Sequence, residues 1–360
     1  MSLLQQIAEN LGATGPVGGD WMHTIAIQEG ATGPVGGSWI QAWADAVGVT
    51  GPIGGSWIQA LADHYGVTGA EGDWLIGIET NTATPPPPPF DPDAQAYLDA
   101  VEAAGGTINE TITDATGALF TDMKAAGLYS KTIAMYPYVG GVQNAHKLEG
   151  KNPGTYDITF TGGWTFNTLG STPNGVNGWA TNNMYLATTM TLNNATLFTY
   201  LGTDYSPIGA AYSLDFGTAD SFAVNGLFAL IGGNQVGGDS SSYFYNNDSE
   251  YSTRISFSAA VIPSGIGLFG YNRTSSTNFN IWRNGVKLAT NTNVNTGVLP
   301  SVKPLYMPAP GSATAFDNVN PYSQRRHQFD WVGEGLTDVE AGDLQTIINT
   351  FQTALGRNVY

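Results

Sequence analysis

The chain has 360 residues, 42% of them hydrophobic, no cysteine and only 11% charged residues, which excludes a disulfide framework and thiolate chemistry. Its net charge of −17 is unevenly placed: residues 1–123 hold 15 acids and no Lys or Arg, and residues 124–360 hold 14 acids and 12 bases. The wholly acidic first third argues against nucleic-acid binding and docking on an anionic membrane, no stretch of about 18 apolar residues predicts membrane insertion, and Met1–Gln6 lacks the basic and apolar regions of a signal peptide.

Residues 1–80 are repetitive. The motif Gly-(Ala/Val)-Thr-Gly-Pro-(Val/Ile)-Gly-Gly-(Asp/Ser)-Trp recurs, with Trp21, Trp39, Trp57 and Trp74 spaced 18, 18 and 17 residues apart. Evenly spaced copies suit a chain that stacks on itself, on sister chains or on a larger assembly. Five units begin at Ser2, Asp20, Ser38, Ser56 and Asp73, each a good helix N-cap. Gln5, Gln41 and Gln59 complete a capping box in three of them. Helical spacing follows in Leu4/Ile7/Ala8/Leu11, Ile40/Trp43/Ala44/Val47 and Ile58/Leu61/Ala62/Tyr65, and Gly12, Gly30, Gly48 and Gly66 stand where a glycine ends each helix. Helices of about ten residues do not persist alone in water. Trp21, Trp39, Trp43, Trp57, Trp74, Ile40, Ile58 and Leu61 are therefore the expected anchor or oligomer-interface residues. They must be buried along one chain, around a symmetry axis or in a partner. The connectors are phased Gly-X-Y, but are too short for a collagen helix and read as Gly-Pro turns.

Residues 81–92 form a proline-rich linker. Pro85–Pro89 predict a stiff polyproline spacer of about 15 Å, at about 3.1 Å per residue. A small helical and mixed segment spans 93–153. Asp91 caps its first helix, with Pro92 at the first helical position and Ala94, Tyr97, Leu98 and Val101 as apolar stripe. A second helix is expected over 113–126 and a strand over Thr132–Tyr138. Residues 154–335 read as β. Tyr156/Ile158/Phe160 and Ile255/Phe257/Ala259 alternate, and Phe279–Leu288 is a hairpin with Asn284-Gly285 at its tip. Many short strands with Gly, Asn, Ser and Thr turns predict an antiparallel two-sheet sandwich. Residues 336–360 carry a last helix packed on the sandwich, opened by Thr337 and Glu340 as a capping box and ended by Gly356.

Motifs for chemistry are sparse. His23, His64, His146 and His327 are far apart and form no metal pattern. Asp239, Asp248 and Glu250 gather carboxylates suited to calcium without EF-hand spacing, and a polar loop is the favoured reading. No other cofactor is expected. Gly265–Gly270 matches Gly-x-Gly-x-x-Gly, but a hairpin follows rather than a helix, so it reads as a glycine-bearing strand. A retaining glycosidase needs two carboxyls about 5 Å apart. Asp215, Asp248/Glu250 and Asp330/Glu334 supply carboxylates that nothing selects, and no Gly-x-Ser-x-Gly elbow occurs. A non-enzymatic protein is expected, with a glycan depolymerase as the alternative. The Gly/Asn-rich stretch 162–185 suits a shallow glycan site: Trp179 and Tyr185 to stack on sugar faces, Asn177 and Asn182 to bond hydroxyls. Trp164, alternating with Phe166, reads as core.

Several short motifs occur in a telling order: Asp91–Tyr97, Met123–Lys131, Tyr136–Gly141, Phe160–Trp164, Pro173–Gly178, Asn284-Gly285, Gly333–Asp338 and Phe351–Arg357. Over residues 91–360 the chain resembles a module of bacteriophage virion structural proteins whose sandwich is a concanavalin A-like lectin/glucanase (laminin G-like) jelly roll. The repeats resemble modules attached to similar phage proteins. The resemblance implies a spike or fibre on the virion surface, displaying a lectin-like domain to host surface glycans, partnered by other virion or capsid proteins and commonly homotrimeric. It supplies no catalytic motif. A ligand-free capsid decoration or vertex protein is the remaining alternative.

Overall fold

A computed structural model describes residues 3–13, 20–34, 38–52, 56–66, 90–204, 215–218, 228–231, 242–246, 255–258, 261–262, 264–294, 298–307 and 323–360. The chain divides into two units, residues 1–89 and 90–360.

In the first unit the repeats form helices of eight residues: α1 (Leu3–Asn10), α2 (Trp21–Gln28), α3 (Trp39–Ala46) and α4 (Trp57–His64). Their N-cap side chains bond the first turn as expected, and Ser38 and Ser56 do so without the return bond from Gln41 and Gln59 that would complete a capping box. The Asp20 carboxylate accepts from the Met22 N–H, and the Ser38 and Ser56 hydroxyls accept from the Gln41 and Gln59 N–H groups. Gly12, Gly30, Gly48 and Gly66 take φ of +90°, +95°, +83° and +69°, the left-handed turn that glycine adopts without penalty. After α3 the Gly48 N–H bonds the Asp45 carbonyl and the Val49 N–H bonds that of Ala44, a Schellman closure.

Ile7, Ala8, Ile25, Ala26, Trp43, Ala44, Leu61 and Ala62 are fully buried in one shared core. Packing runs from α1 to α2, α2 to α3 and α3 to α4. Within this unit the apolar stripes are thus buried by successive repeats of one chain, so Trp43 and Leu61 lie inside the stack rather than on a face offered to another chain. Trp21, Trp39, Trp57, Ile40 and Ile58 are half-buried at its margin. The His23 ring stacks on Trp39 of the next repeat, 3.7 Å between centroids. Ser2, Trp74, the fifth repeat and Pro85–Pro89 lie outside the described residues.

The second unit contains, in chain order, α5 (Pro92–Ala103), α6 (Glu110–Ala125), α7 (Leu128–Lys131), β1 (Thr132–Tyr136), α8 (Gln143–His146), β2 (Thr159–Thr161), β3 (Trp164–Asn167), β4 (Gly170–Pro173), β5 (Trp179–Thr181) and α9 (Leu186–Thr189). Then come β6 (Ala195–Leu201), β7 (Phe216–Thr218), β8 (Phe228–Ile231), β9 (Ser242–Asn246), β10 (Ile255–Phe257), β11 (Gly267–Ser275), β12 (Asn278–Arg283), β13 (Val286–Asn291), β14 (His327–Gly333) and α10 (Asp338–Ala354). One sheet runs β13-β12-β11-β6-β14-β4-β3, with β1 also paired to β14. The second joins a β10-β9-β8-β7 ladder to a β5-β2 ladder through Tyr306, which bridges Gly217 and Thr181. The fold is the expected antiparallel β-sandwich with helices toward its termini.

Both faces of the larger sheet are covered. On β6, Leu197 and Leu201 join Phe269, Tyr271, Phe279 and Ile281 in one core cluster. Phe198 and Tyr200 join Trp282, Phe329 and Trp331 in another, with Tyr97, Phe120 and Met123 of α5 and α6 and with Leu344, Ile348 and Phe351 of α10. Every residue of β6 is buried, as a central strand between two layers requires. The expected small segment 93–153 is therefore the helical layer of this unit, and the unit begins at Phe90, inside the expected linker. Helix α6 starts at Glu110, three residues earlier than expected, because the Asn109 side chain caps it through the Ile112 N–H. The expected capping box of Thr337 and Glu340 and the hairpin tip at Asn284 (φ +49°) and Gly285 (φ +82°) are both present.

Candidate functional site

One edge of the sandwich is built from aromatic rings. β2 ends the second sheet and β3 ends the first. Between them Phe160 stands edge-on to Trp164 and to Phe166, 4.9 Å between centroids in each case, and Trp164 stacks on Phe166 at 6.1 Å. Period-two alternation sets the rest: these three rings are half-buried, while Thr159, Thr161, Thr165 and Asn167 between them are exposed. The Trp164 indole N–H donates to the carbonyls of Thr161 and Trp179, at 3.0 and 3.3 Å. Trp179 is half-buried in turn, its ring 5.9 Å from Tyr306.

The loop before β5 is fixed by asparagines. Asn174 Oδ1 accepts from the N–H groups of Val176, Asn177 and Gly178, each at 3.0 Å. Asn177 Oδ1 accepts from the Gly163 N–H and from Asn174 Nδ2, both at 2.9 Å. Gly162 (φ +76°) lies so close to the Asn177 backbone that any Cβ there would collide with it. This edge offers two half-open indoles among threonine hydroxyls and asparagine amides, a set able to stack on the C–H face of a sugar ring and bond its hydroxyls.

The edge unites two of the four residues expected to bind glycan, Trp179 and Asn177, and adds Trp164, which packs against the core while keeping part of its ring open. Asn182 has no part in it. It is fully buried, its amide donating to the Tyr136 hydroxyl at 2.8 Å and its Oδ1 accepting from the Met184 N–H at 3.1 Å. Tyr185 is 38% exposed and opens α9. Phe160 and Phe166 complete the ring cluster. Their alternation with exposed Thr and Asn was the available signal.

Asp215, Asp330, His146 and His327 of the second unit face inward. Asp215 is fully buried and holds Arg325 Nη1 at 2.5 Å and the Ser323 hydroxyl at 2.7 Å. Asp330, also fully buried, accepts the Tyr138 hydroxyl at 2.6 Å and lies 2.9 Å from His327 Nδ1. His146 pairs with Ser171 at 2.8 Å. Its Nε2 accepts the Gly141 N–H, so Nδ1 carries the proton and donates to the serine, the reverse of what a general base does. Burial, aided by Arg357, pulls the His146 pKa down to about 3 and keeps the ring neutral. Glu334 is exposed. Asp239, Asp248 and Glu250 lie outside the described residues, among which no three His, Asp or Glu side chains gather as metal ligands. Among the described residues no helix is long and apolar enough to cross a membrane.

Burial opposes charge on His327, but the Asp330 carboxylate outweighs it and raises the pKa above its ordinary 6.5, with Asp215 adding and Arg325 opposing. A raised folded-state pKa gives stability that is full below about pH 6.5 and lost as pH rises through the folded value. The urea midpoint of the second unit is expected to fall between pH 6 and pH 8.5. His327→Gln should flatten that fall, and an unchanged slope in the variant would assign the pH dependence elsewhere.

No family model matches the chain, and no curated protein matches its sequence. Among solved structures it is similar to domain 4 of an extracellular GH43 arabinanase from Geobacillus stearothermophilus, solved with arabinotriose, at 15% identity and a TM-score of 0.42 over 59% of this chain and 98% of that one. It is similar to a structure of botulinum neurotoxin type C, whose cell entry depends on two ganglioside molecules, at 13% identity and a TM-score of 0.40 over 62% and 53%. A mutant Trypanosoma rangeli sialidase displaying trans-sialidase activity follows at 14% identity and a TM-score of 0.38 over 66% and 40%. The chain thus spans about half of the toxin structure and less of the sialidase. Likenesses of this strength assign neither an activity nor a ligand to this chain.

Proposed function

We propose that this is a bacteriophage virion surface protein of spike or fibre type, in which the sandwich binds host surface glycans at the β2–β3 edge without cleaving them. The N-terminal repeats attach it to the particle or hold its copies together as a trimer. The observation that carries the binding reading is the pair of half-open indoles, Trp164 and Trp179, with the Trp164 N–H donating to the Trp179 carbonyl, amid exposed Thr and Asn. The ordered motifs of residues 91–360 and the acidic, repetitive first 80 residues support the placement on a virion. The inward-facing Asp215 and Asp330 support binding over hydrolysis.

Two measurements test this reading. Incubation with purified host capsule should release no new reducing ends, and their appearance would turn the proposal into a depolymerase. A chain lacking residues 1–80 is expected to fold and yet stay off assembled particles. Normal incorporation of that chain would remove the attachment role.

A further inference from the structure

The turn after α2 and one side of α3 bound an open groove. Gly30, Ala31, Thr32 and Gly33 form one wall and Ala42, Asp45 and Ala46 of α3 the other, around a cavity of about 260 Å³. Gly30 is glycine for a reason internal to the chain, its φ of +95°. Gly33 is not explained that way. Its φ lies outside the left-handed region, and a Cβ there would meet nothing within 4 Å among the described residues. Gly51, one repeat on, repeats both properties. Neither turn geometry nor the packing of the described chain calls for glycine at these positions, whereas an approaching partner would.

Charge selects the partner. Residues 1–89 hold eight acids and no Lys or Arg. Asp45 stands exposed in the groove wall, and Asp63 is exposed at the matching position of the next repeat, where Ala60 repeats Ala42 and His64 replaces Ala46. At this groove a second copy of the repeats would bring the same acidic face, so charge favours a different chain as its occupant. A cationic side chain on an aliphatic stem meets small apolar walls and then a carboxylate.

We propose that this groove docks a basic protein segment, one arginine or lysine side chain in the groove, its stem along Ala42 and Ala46 and its charge at Asp45, with Asp63 receiving the next. Packed helices lie about 8–10 Å apart, so the partner presents cations about 10 Å apart, the reach of about three residues of extended chain. This rests on the reading of the repeats as the attaching end and adds the chemistry of what they attach to.

The test is fluorescence anisotropy of the full chain with two labelled synthetic peptides, a Gly/Ser chain bearing arginine at every third position and the same chain bearing glutamate. The arginine peptide should bind and the glutamate peptide should not. Gly33→Val with Gly51→Val, admitted by the open space at both positions, should weaken binding at least tenfold with thermal unfolding unchanged. Asp45→Asn with Asp63→Asn should weaken it as much, and this pair decides the matter if the valines disturb folding. Absence of binding overturns the proposal. So does equal affinity in wild type and both variants, which would mean diffuse attraction to an acidic surface, and so does sedimentation showing self-association through the same residues. Valine variants that join particles like wild type also overturn the groove and leave attachment standing. Attachment itself falls only if the chain lacking residues 1–80 is incorporated.

Discussion

Arg357→Ala is expected to destabilise residues 90–360 by about 4 kcal/mol or more, a large share of the roughly 5–15 kcal/mol that holds a domain folded. Arg357 is 2% exposed, and all three of its guanidinium nitrogens are engaged. Nε donates to Gln352 Oε1 at 2.9 Å, Nη1 to the Tyr138 carbonyl at 2.8 Å, and Nη2 to the Pro137 and Gln328 carbonyls at 3.0 and 3.1 Å. It ties the C-terminal tail to β14 and to the chain leaving β1. Burial lowers its pKa to about 9, so it remains a cation at neutral pH. Truncation would strand buried carbonyls, at about 1–3 kcal/mol each, and leave a cavity. Arg357→Lys keeps the charge but not the planar fork of donors, and should fall between. A urea midpoint for Arg357→Ala equal to wild type would show that water replaces the guanidinium without loss.

Trp43→Ala should abolish folding of the repeats and spare the sandwich. Trp43 is fully buried among Ile25, Ala26, Leu61 and Tyr65, with the Tyr65 ring 6.0 Å away. Burial, with Glu29 adding, pushes the Tyr65 hydroxyl up to about 12. Replacing a buried tryptophan by alanine costs about 3–5 kcal/mol. Eight-residue helices cannot stand alone, and a stack held by nearest neighbours fails on both sides of a lost contact. Calorimetry should show the transition of residues 1–89 lost and that of residues 90–360 unmoved. Two intact transitions would mean that the repeats draw their stability from elsewhere.

How much of this was legible in the sequence depends on how local the signal is. The 18-residue period, the caps at Asp20, Ser38 and Ser56 and the stop glycines are written within one turn of each helix, and all appear where expected. So do the cap at Asp91, the capping box of Thr337 and Glu340, and the Asn284-Gly285 hairpin. Gly270, part of a sequence that mimics a nucleotide loop, is a strand glycine, where any side chain would strike the Phe198 ring. Long-range facts were not legible. β1 pairs with β14 across nearly two hundred residues. β6, Ala-Thr-Leu-Phe-Thr-Tyr-Leu, shows no inward and outward sides because both of its sides are inward. The burial of Asn182 and the service of Arg357 depend on neighbours distant in sequence. Of the candidate glycan edge, Asn177 and Trp179 could be picked by composition. Trp164 could not, since alternation with Phe166 reads the same for a core residue and for one half-open at a sandwich rim.

Contact of the aromatic edge with sugar is tested most directly on an array of bacterial capsular and lipopolysaccharide oligosaccharides probed with the intact protein and with Trp179→Ala. Trp179 is half-buried at the rim, so the substitution should leave unfolding within about 1 kcal/mol of wild type while removing a stacking face worth about 1 kcal/mol or more, a fall in affinity of roughly fivefold or greater. A set of glycans bound by wild type and lost in the folded variant is the predicted result. Binding that survives Trp179→Ala unchanged, or an array with no binder at all, would contradict it.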